Sequence, residues 1–592
     1  MTGRRTWLDS LGVRLIGLAW CVASVCSAFP VTAPRTVDHW FVDSLIKVFP
    51  EDKADKHALA VPQVAAARNS HASIQFVVRA SRRVDNVTVA AKWLGRNAAG
   101  LGEIQVRPVG YVPAAANTPD TPSSELIHSV PALFPDVLFE RFPITLEPGK
   151  TQPLWLTLRI GAGCVPGRYR AEVVVREKGI QRAREAFSVE VLAASVPSRQ
   201  TLKVTNWFYL SDRWLVPFFG VKSRTEEWWK LIENMARVMA EHRQNVIVTP
   251  LTGFYFSRLA LIQARPRGDG LEYDFTDFDR WVNTFQRAGV IGYIEGSHVL
   301  RREEDLEDPN LLRVDVYLRE NGKAVLRSLP PDDPRVEGAL TQMFSALYAH
   351  LKEKGWAGIY YQHIMDEPEG SGGNLIPVYR KFAELVRRTM PDVLTIDAIS
   401  APHDYGVYEK SCDIWVPVLG SFEGNGRQIR EHARNGREVW FYTCLAPTGR
   451  YPNRFLDYSL VKVRMLHWID FRYGLTGFLH WGGNYWSSDP FHETQPVVMG
   501  GSSWVTLMLP PGDAFISYPE PQGKTILSSI RWEMMTEGIE DYELLQALKE
   551  KDSDAAQKLA LQVVRSSTDY VRDPGEFRKL RMELLKALSA SQ

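Results

Sequence analysis

Cysteine is scarce in this 592-residue chain, which has five. Cys21 and Cys26 fall in an N-terminal apolar segment, leaving Cys164, Cys412 and Cys444 in the remainder. Three is an odd number and no two are spaced C-x-x-C, so neither a disulfide framework nor a cysteine zinc site is expected. Cys412 and Cys444 sit in apolar runs and read as buried core residues. Charge of one sign is lacking too: 70 basic and 69 acidic residues give a net charge of +1. A nucleic-acid partner normally demands a basic excess on some face, so none is expected, although a local patch stays open. The chain has no low-complexity tract, no Gly-x-Ser-x-Gly elbow and no glycine-rich phosphate loop. Those absences weaken serine-hydrolase and kinase readings and the doubly wound nucleotide-binding sheet. No cofactor motif is present, so no cofactor is expected.

What is present begins at the N-terminus. Arg4, Arg5 and Arg14 precede the apolar run Leu15 to Val25, and Cys26-Ser27-Ala28 offers small residues for cleavage. Residues 1–28 therefore read as a signal peptide, with an uncleaved membrane anchor as the alternative. No later apolar run reaches spanning length. The expectation is an exported protein, periplasmic or extracellular, with no membrane span once the signal is removed. Aromatics are plentiful, with 18 Trp, 21 Tyr and 26 Phe. Flat aromatic faces suit sugars, and a large tryptophan-rich core is an equal explanation for any one of them.

From about residue 35 to 198 short alternating runs such as Ser73–Arg79, Val87–Leu94, Trp155–Ile160 and Tyr169–Val175 are separated by Gly/Pro turns. They predict an antiparallel β-sandwich. From 201 to 552 eight apolar strand-like runs alternate with helical patterns: Leu202–Leu210, Asn245–Pro250, Val290–Val299, Gly358–Met365, Leu394–Ser400, Asp413–Leu419, Glu438–Leu445 and Gly477–Trp481. Eight such alternations fit a (β/α)8 TIM-type barrel with insertions, an open doubly wound sheet being the rival. Ser223-Arg-Thr-Glu226 reads as a capping box opening a helix that runs to about Arg243. A charged helical extension, 553–592, is expected to pack outside the barrel. The predicted whole is multidomain: sandwich, barrel, helical tail.

In a barrel, function collects at the carboxyl ends of the strands. That rule selects Trp207 and Tyr209, Glu295 and His298, the stretch Tyr361-Gln-His-Ile-Met-Asp-Glu-Pro368, Asp397, Tyr442, and His480-Trp481-Gly-Gly-Asn484-Tyr-Trp486. Asp366 and Glu367 are the most informative pair. Glycosidic cleavage needs one acid to protonate the leaving oxygen and one carboxylate to handle positive charge at the sugar. Side by side, two carboxyls push their proton affinities apart. Neighbours on a regular strand face opposite ways, so both reach one pocket only if the strand twists or ends there. A solvated Asp-Glu-Pro-Glu loop is the plain alternative. His363 is placed to bind a sugar hydroxyl or to be a satisfied core histidine. Glu295 and Asp397 are further carboxylates, with an ordinary strand-end charge as the simpler role. His298, His363 and His480 lie on three strands at no metal-ligand spacing, so no metal is expected. Trp481, Asn484 and Trp486 around Gly482 and Gly483 suggest a stacking wall, with core packing as the alternative for each Trp.

Three motifs carry a family resemblance: His363-Ile-Met-Asp-Glu-Pro368; Gly477-Phe-Leu-His-Trp-Gly-Gly483 with Asn484 and Trp486; and Ser529-Ile-Arg-Trp-Glu-Met-Met-Thr-Glu-Gly-Ile-Glu-Asp-Tyr-Glu543. Through them the chain resembles glycoside hydrolase family 123 and its wider kin with the domain of unknown function 4091, over most of the mature length. The last motif reads as a packing helix in which Arg531, Glu537 and Asp541 form ion pairs. The resemblance implies an exo-acting N-acetyl-β-galactosaminidase, or a related hexosaminidase, that retains configuration by substrate assistance. Glu367 would be the general acid/base and Asp366 would orient the acetamido group. The implied partner is an oligosaccharide or glycoconjugate. A glycosidase of the same fold for another sugar, and a non-catalytic carbohydrate-binding protein, are the alternatives.

Overall fold

The computed structural model describes residues 37–590 apart from 96–99, 255–258, 291, 303–310, 370–374, 401, 403 and 501–504. Residues 1–28, expected to be a signal peptide, lie outside the described residues. Residues 37–195 form two five-stranded sheets. One orders its strands as Val37–Asp43, Ser70–Ala80, Thr151–Ile160, Leu101–Ala114 and Ala132–Leu138. The other runs Gln63–Arg68, Ile180–Ser195, Gly167–Glu177, Val84–Leu94 and Ile144–Leu146. Pairing is antiparallel except between Gln63–Arg68 and Ile180–Ser195. Val84–Leu94 alternates buried and exposed residues, as a strand with one wet face should. Ser70–Ala80 is buried almost throughout, because its sheet is covered on both faces.

The remainder alternates strand and helix. Its parallel strands are β1 (Lys203–Asn206), β2 (Val246–Thr249), β3 (Tyr293–Gly296), β4 (Tyr360–Gln362), β5 (Leu394–Ile399), β6 (Ile414–Pro417), β7 (Trp440–Thr443) and β8 (Gly477–His480). Each falls inside one of the eight expected runs. Their ladders divide into two parallel sheets, β1-β8-β7 and β2-β3-β4-β5-β6. Single parallel bridges, Trp415 to Val439 and Val418 to Tyr442, connect β6 with β7. Between β1 and β2 the link is Asn245, whose backbone N–H donates to Val204 O at 3.3 Å. The Asn245 side chain accepts from Val204 N–H at 2.8 Å. Among the described residues four hairpins interrupt the alternation and were not legible as such: Gln263–Arg267 with Gly270–Asp274, Leu312–Glu320 with Lys323–Leu329, Val497–Gly500 with Val505–Met508, and Tyr518–Glu520 with Thr525–Leu527.

The helix Glu226–Glu241 buries Trp228, Trp229, Leu231, Ile232, Met235 and Met239 at helical spacing. Its cap is Thr225, which accepts the Trp228 N–H at 3.2 Å. The expected box from Ser223 is therefore two residues early. Ser223 is engaged by the Asp212 carboxylate instead, and Thr225 offers the same capping chemistry nearer the apolar run.

The helix Ile530–Lys551 is buried on every side along most of its length. Its charges are paired. Arg531 forks onto Asp136 at 2.9 and 2.8 Å. Glu533 accepts from Thr157 at 2.8 Å and pairs with Arg107 at 2.8 Å. Glu540 holds His71 at 2.8 Å and Arg243 at 2.9 Å. Asp541 takes Arg464 and Arg581, each at 2.8 Å. Asp136, Thr157, Arg107 and His71 all belong to the sandwich, so this helix joins the sandwich to the parallel strands. The tail helices Ser553–Val563 and Pro574–Ala590 are anchored as well: Arg578 reaches Asp43 and Arg581 reaches Ala65 O. The tail thus packs on the sandwich and the long helix as well as lying outside the parallel strands. Of the two cysteines expected in the core, Cys412 is buried and Cys444 is only partly so.

Removing one member of a buried pair leaves a charge without a partner, at a cost of about 3–5 kcal/mol. Asp541→Asn should therefore lower the thermal unfolding temperature clearly, whereas Arg565→Ala, which breaks an exposed pair with Asp569, should leave it nearly unchanged. Equal effects in a melting experiment would remove the long helix as the joint.

Candidate active site

β4 ends at Gln362, and the chain leaves it as an irregular turn carrying His363 to Glu367. Glu367 has φ +44, in the left-handed region that a glutamate seldom occupies. This change of hand removes the strand alternation that would have sent Asp366 and Glu367 to opposite faces. Strain of this kind persists only where surrounding contacts over-determine it. They do so here. Asp397 of β5 accepts the backbone N–H of Ile364 at 3.1 Å and of Met365 at 3.2 Å. Ala398 O accepts the Glu367 N–H at 3.1 Å. Arg302 donates to Asp366 O at 2.8 Å and to Glu367 O at 2.7 Å.

Both carboxyls of the pair are half-buried. The Tyr442 hydroxyl, from β7, donates to Glu367 Oε1. Burial, and then the Asp366 charge beside it, push the Glu367 carboxyl up to about 8, against the opposing Tyr442 hydrogen bond. A carboxyl in this state is protonated at neutral pH and can donate a proton. Glu369, two residues on, is turned toward Ser400 and Tyr408 and accepts from both.

Beneath the turn lies a buried set. His363 sits between two carboxylates, Nδ1 at 2.9 Å from Asp397 and Nε2 at 2.7 Å from Glu295. All three side chains are fully buried. Burial opposes charge on the imidazole, but the hydrogen bonds to Asp397 and Glu295 outweigh it and raise it to about 10. Burial lifts Asp397 to about 6, with His363 opposing. Glu295 also accepts from Trp207 Nε1 at 2.9 Å and from Thr205 Oγ1 at 2.7 Å. Glu295, His363, Asp397 and Trp207 were expected to touch substrate. In the structure their polar atoms bond one another, beneath the turn.

Asn484 and Trp486 likewise bond to protein partners. Asn484 is fully buried and clasps the Tyr209 backbone, accepting its N–H at 2.7 Å and donating to its C=O at 3.1 Å. Trp486 is buried against Phe218 and donates to Ser517 O at 2.8 Å. Gly483 is required where it stands, since a β-carbon there would lie 2.5 Å from Trp207 O. Trp481 is partly exposed, with its indole N–H on Asp513 at 3.2 Å. The His298 imidazole is buried, with 3% of the side chain exposed, its ring 5.3 Å from Trp207 and 4.3 Å from His363, and burial holds it neutral.

Among the described residues, ligand atoms of His298, His363 and Asp397 gather within 4.8 Å of one another. Both His363 nitrogens already face carboxylates, so they present protons rather than a lone pair to a cation, and the set fits a metal poorly. His480 is buried elsewhere: its Nδ1 meets Arg454 at 2.6 Å and accepts the Gly482 N–H at 3.0 Å.

Sequence reasoning missed Arg302 and two members of an aromatic wall, Trp214 and Phe254. With Tyr209 and Tyr485 they adjoin Trp207 and Trp481 through ring centroids 4.4–5.6 Å apart. Arg302 opens a charge-rich run, Arg301-Arg-Glu-Glu-Asp305, which on its own reads as solvated surface.

A glutamate with a raised proton affinity thus lies beside an aspartate on one turn at the carboxyl end of a parallel strand. The family model for the glycoside hydrolase 123 catalytic domain matches residues 207–548, and that for its N-terminal domain matches 49–177. The chain belongs to glycoside hydrolase family 123. As a family 123 protein it is a glycosidase, of mixed α/β build with a β-rich N-terminal part and C-terminal helices. A family 123 glycoside hydrolase from Clostridium perfringens, described for glycolipid glycan hydrolysis, superimposes with a TM-score of 0.70 at 18% identity, over 94% of this chain and 97% of that one. That likeness shows the fold. An FMN-binding β-glucuronidase from Facaelibacterium prausnitzii L2-6 aligns at a TM-score of only 0.29 and 8% identity, over 82% of this chain and 61% of that one. No curated protein sequence matches this family 123 chain.

The raised proton affinity of Glu367 has a cost to stability. The unfolded chain releases this proton near 4.5 and the folded one near 8, so across that window the folded state binds the extra proton and stability falls as pH rises. Glu367→Gln should therefore gain thermal stability relative to wild type at pH 8–9 and little at pH 5. A pH-independent difference in melting temperature would contradict this.

Proposed function

We propose that this chain is an exo-acting β-N-acetylhexosaminidase, an N-acetyl-β-galactosaminidase first of all, that retains configuration by substrate assistance. The observation that carries the reading is the Asp366–Glu367 turn, with the Glu367 carboxyl held protonated by burial and by the Asp366 charge beside it. Carboxyls on adjacent residues are poorly placed to act from opposite sides of one bond. They are well placed if the substrate supplies its own nucleophile. In that mechanism Glu367 gives its proton to the glycosidic oxygen as the acetamido oxygen attacks the anomeric carbon. Asp366 orients the acetamido group and offsets the positive charge of the oxazolinium. Glu367, now a carboxylate, takes a proton from water as it opens the oxazolinium at the same carbon. The acetamido group and the β configuration are both restored.

Trp481 would border the sugar, with Tyr442 reaching it through Glu367. The scaffold in this reading is a (β/α)8 barrel. It is supported by the bridges from β6 to β7 and by the Asn245 link from β1 to β2, which complete the circle of neighbours. The glycan class is that described for the Clostridium perfringens relative, a glycolipid glycan. Export is part of the proposal and rests on the sequence of residues 1–28. Among the described residues no helix is long and apolar enough to cross a membrane.

A panel of 4-nitrophenyl glycosides tests the reading. The N-acetyl-β-galactosaminide should be cleaved, and kcat/KM should fall above about pH 8 as Glu367 ionises. Activity on plain galactosides with none on N-acetyl sugars would defeat substrate assistance. Glu367→Gln should lose about 10²–10⁴-fold with poor leaving groups and far less with good ones. An equal loss across leaving groups would remove Glu367 as the acid.

A further inference from the structure

Arg302 reaches the site from outside the strand carrying the two carboxylates. It lies in the short strand Arg301–Arg302, which pairs with Leu312 and Arg313 at the start of the hairpin inserted after β3. Its guanidinium spans two successive carbonyls, those of Asp366 and Glu367. In a regular strand successive carbonyls point in opposite directions and no single side chain could take both. The left-handed residue at Glu367 brings them to one side, and the rigid planar fork of an arginine fits that pair. The opposite side of the turn is fixed by Asp397 and Ala398, so the turn is gripped between β5 and the insertion. We propose that Arg302 is a positioning residue, delivered by the inserted hairpin, that holds the Glu367 turn in its left-handed form and places a permanent cation beside the proton donor. This rests on the reading of Glu367 as the acid.

The two roles separate by substitution. Among the described residues, the charged and titratable groups around Glu367 are Asp366 and Glu369 on its own segment, Tyr442 of β7, Cys444 just after β7, and Arg302 itself. Arg302 is the one cation among them, and it lowers the proton affinity that burial and Asp366 raise. Arg302→Ala should therefore lose grip and charge together. The expected result is a kcat about 10–100-fold lower with KM within about threefold, since a small misplacement of a reacting group costs that much. The upper limb of the kcat/KM profile should also move to higher pH. Arg302→Lys should restore the limb, because the charge returns, but not kcat, because an ammonium cannot fork two carbonyls.

The assay uses full-length enzyme and whichever panel glycoside the wild type cleaves, with melting temperatures to confirm folding. Guanidinium ion added to Arg302→Ala should raise kcat saturably, and methylammonium should not. In Glu367→Gln the further change Arg302→Ala should cost little, since the group being positioned is gone. Wild-type kcat and pH limb in Arg302→Ala would overturn the inference. So would a loss with an unmoved limb and no guanidinium rescue, which marks a structural role only. A full additional loss in the Glu367→Gln background would do the same. Failure of the acid reading looks different: Glu367→Gln itself would then show no leaving-group dependence.

Discussion

One buried carboxylate, Asp397, sets the terms for the site. It has no solvent, so its oxygens must be paid in hydrogen bonds, and it finds them in His363, the Tyr379 hydroxyl at 2.8 Å, and the backbone N–H groups of Ile364 and Met365. Those two backbone groups belong to the residues immediately before Asp366. β5 thereby dictates where β4 stops and how the chain leaves it. Arg302 and Ala398 complete the grip, and a glutamate is kept at a backbone angle it would not choose. The adjacency of Asp366 and Glu367 would be useless on a regular strand; the turn makes it chemical.

The same low-dielectric surroundings have opposite consequences for neighbouring groups. His363, with a carboxylate on each nitrogen, is held as a cation and is silent across the working pH range. Glu367, with a carboxylate beside it and a single phenol to accept from, is held as a neutral acid. His298, packed against His363, is held neutral by burial and by that charge. Three titratable side chains within one turn of β4 and the end of β3 thus have distinct protonation states, each traceable to which partners face it.

At a larger scale the chain solves an analogous problem with the helix Ile530–Lys551. Helices with so many charges usually show them to water. This one is enclosed, and its Arg531, Glu533, Glu540 and Asp541 are matched by Asp136, Arg107 and His71 from the sandwich, Arg243 just after the helix Glu226–Glu241, Arg464 from the helix Leu460–Tyr473, and Arg581 from the tail. Buried pairs are a weak source of net stability but a demanding one geometrically, because each leaves a large penalty if its partner is misplaced. The sandwich is therefore fixed in register with the catalytic half rather than tethered by a linker.

The positions of β1 to β8, the sandwich before them and the location of the Asp366–Glu367 pair were determined by the sequence, since hydrophobic period and turn residues are local properties. The ion-pairing role of Arg531, Glu537 and Asp541 was legible in the same way, from charges on a helix that had to be packed. Which polar residue faces substrate was decided only by tertiary structure. Glu295, His363, Asp397 and Asn484 carry the right chemistry at the right strand ends, yet they are turned inward to satisfy one another or the backbone. Arg302, hidden in a charge run, is turned inward to the catalytic turn. A side chain's partners lie tens or hundreds of residues away, and spacing along the chain does not encode them. The left-handed angle at Glu367 is the sharpest case: nothing local to Asp366-Glu367-Pro368 requires it, and contacts from β5 and the insertion after β3 impose it.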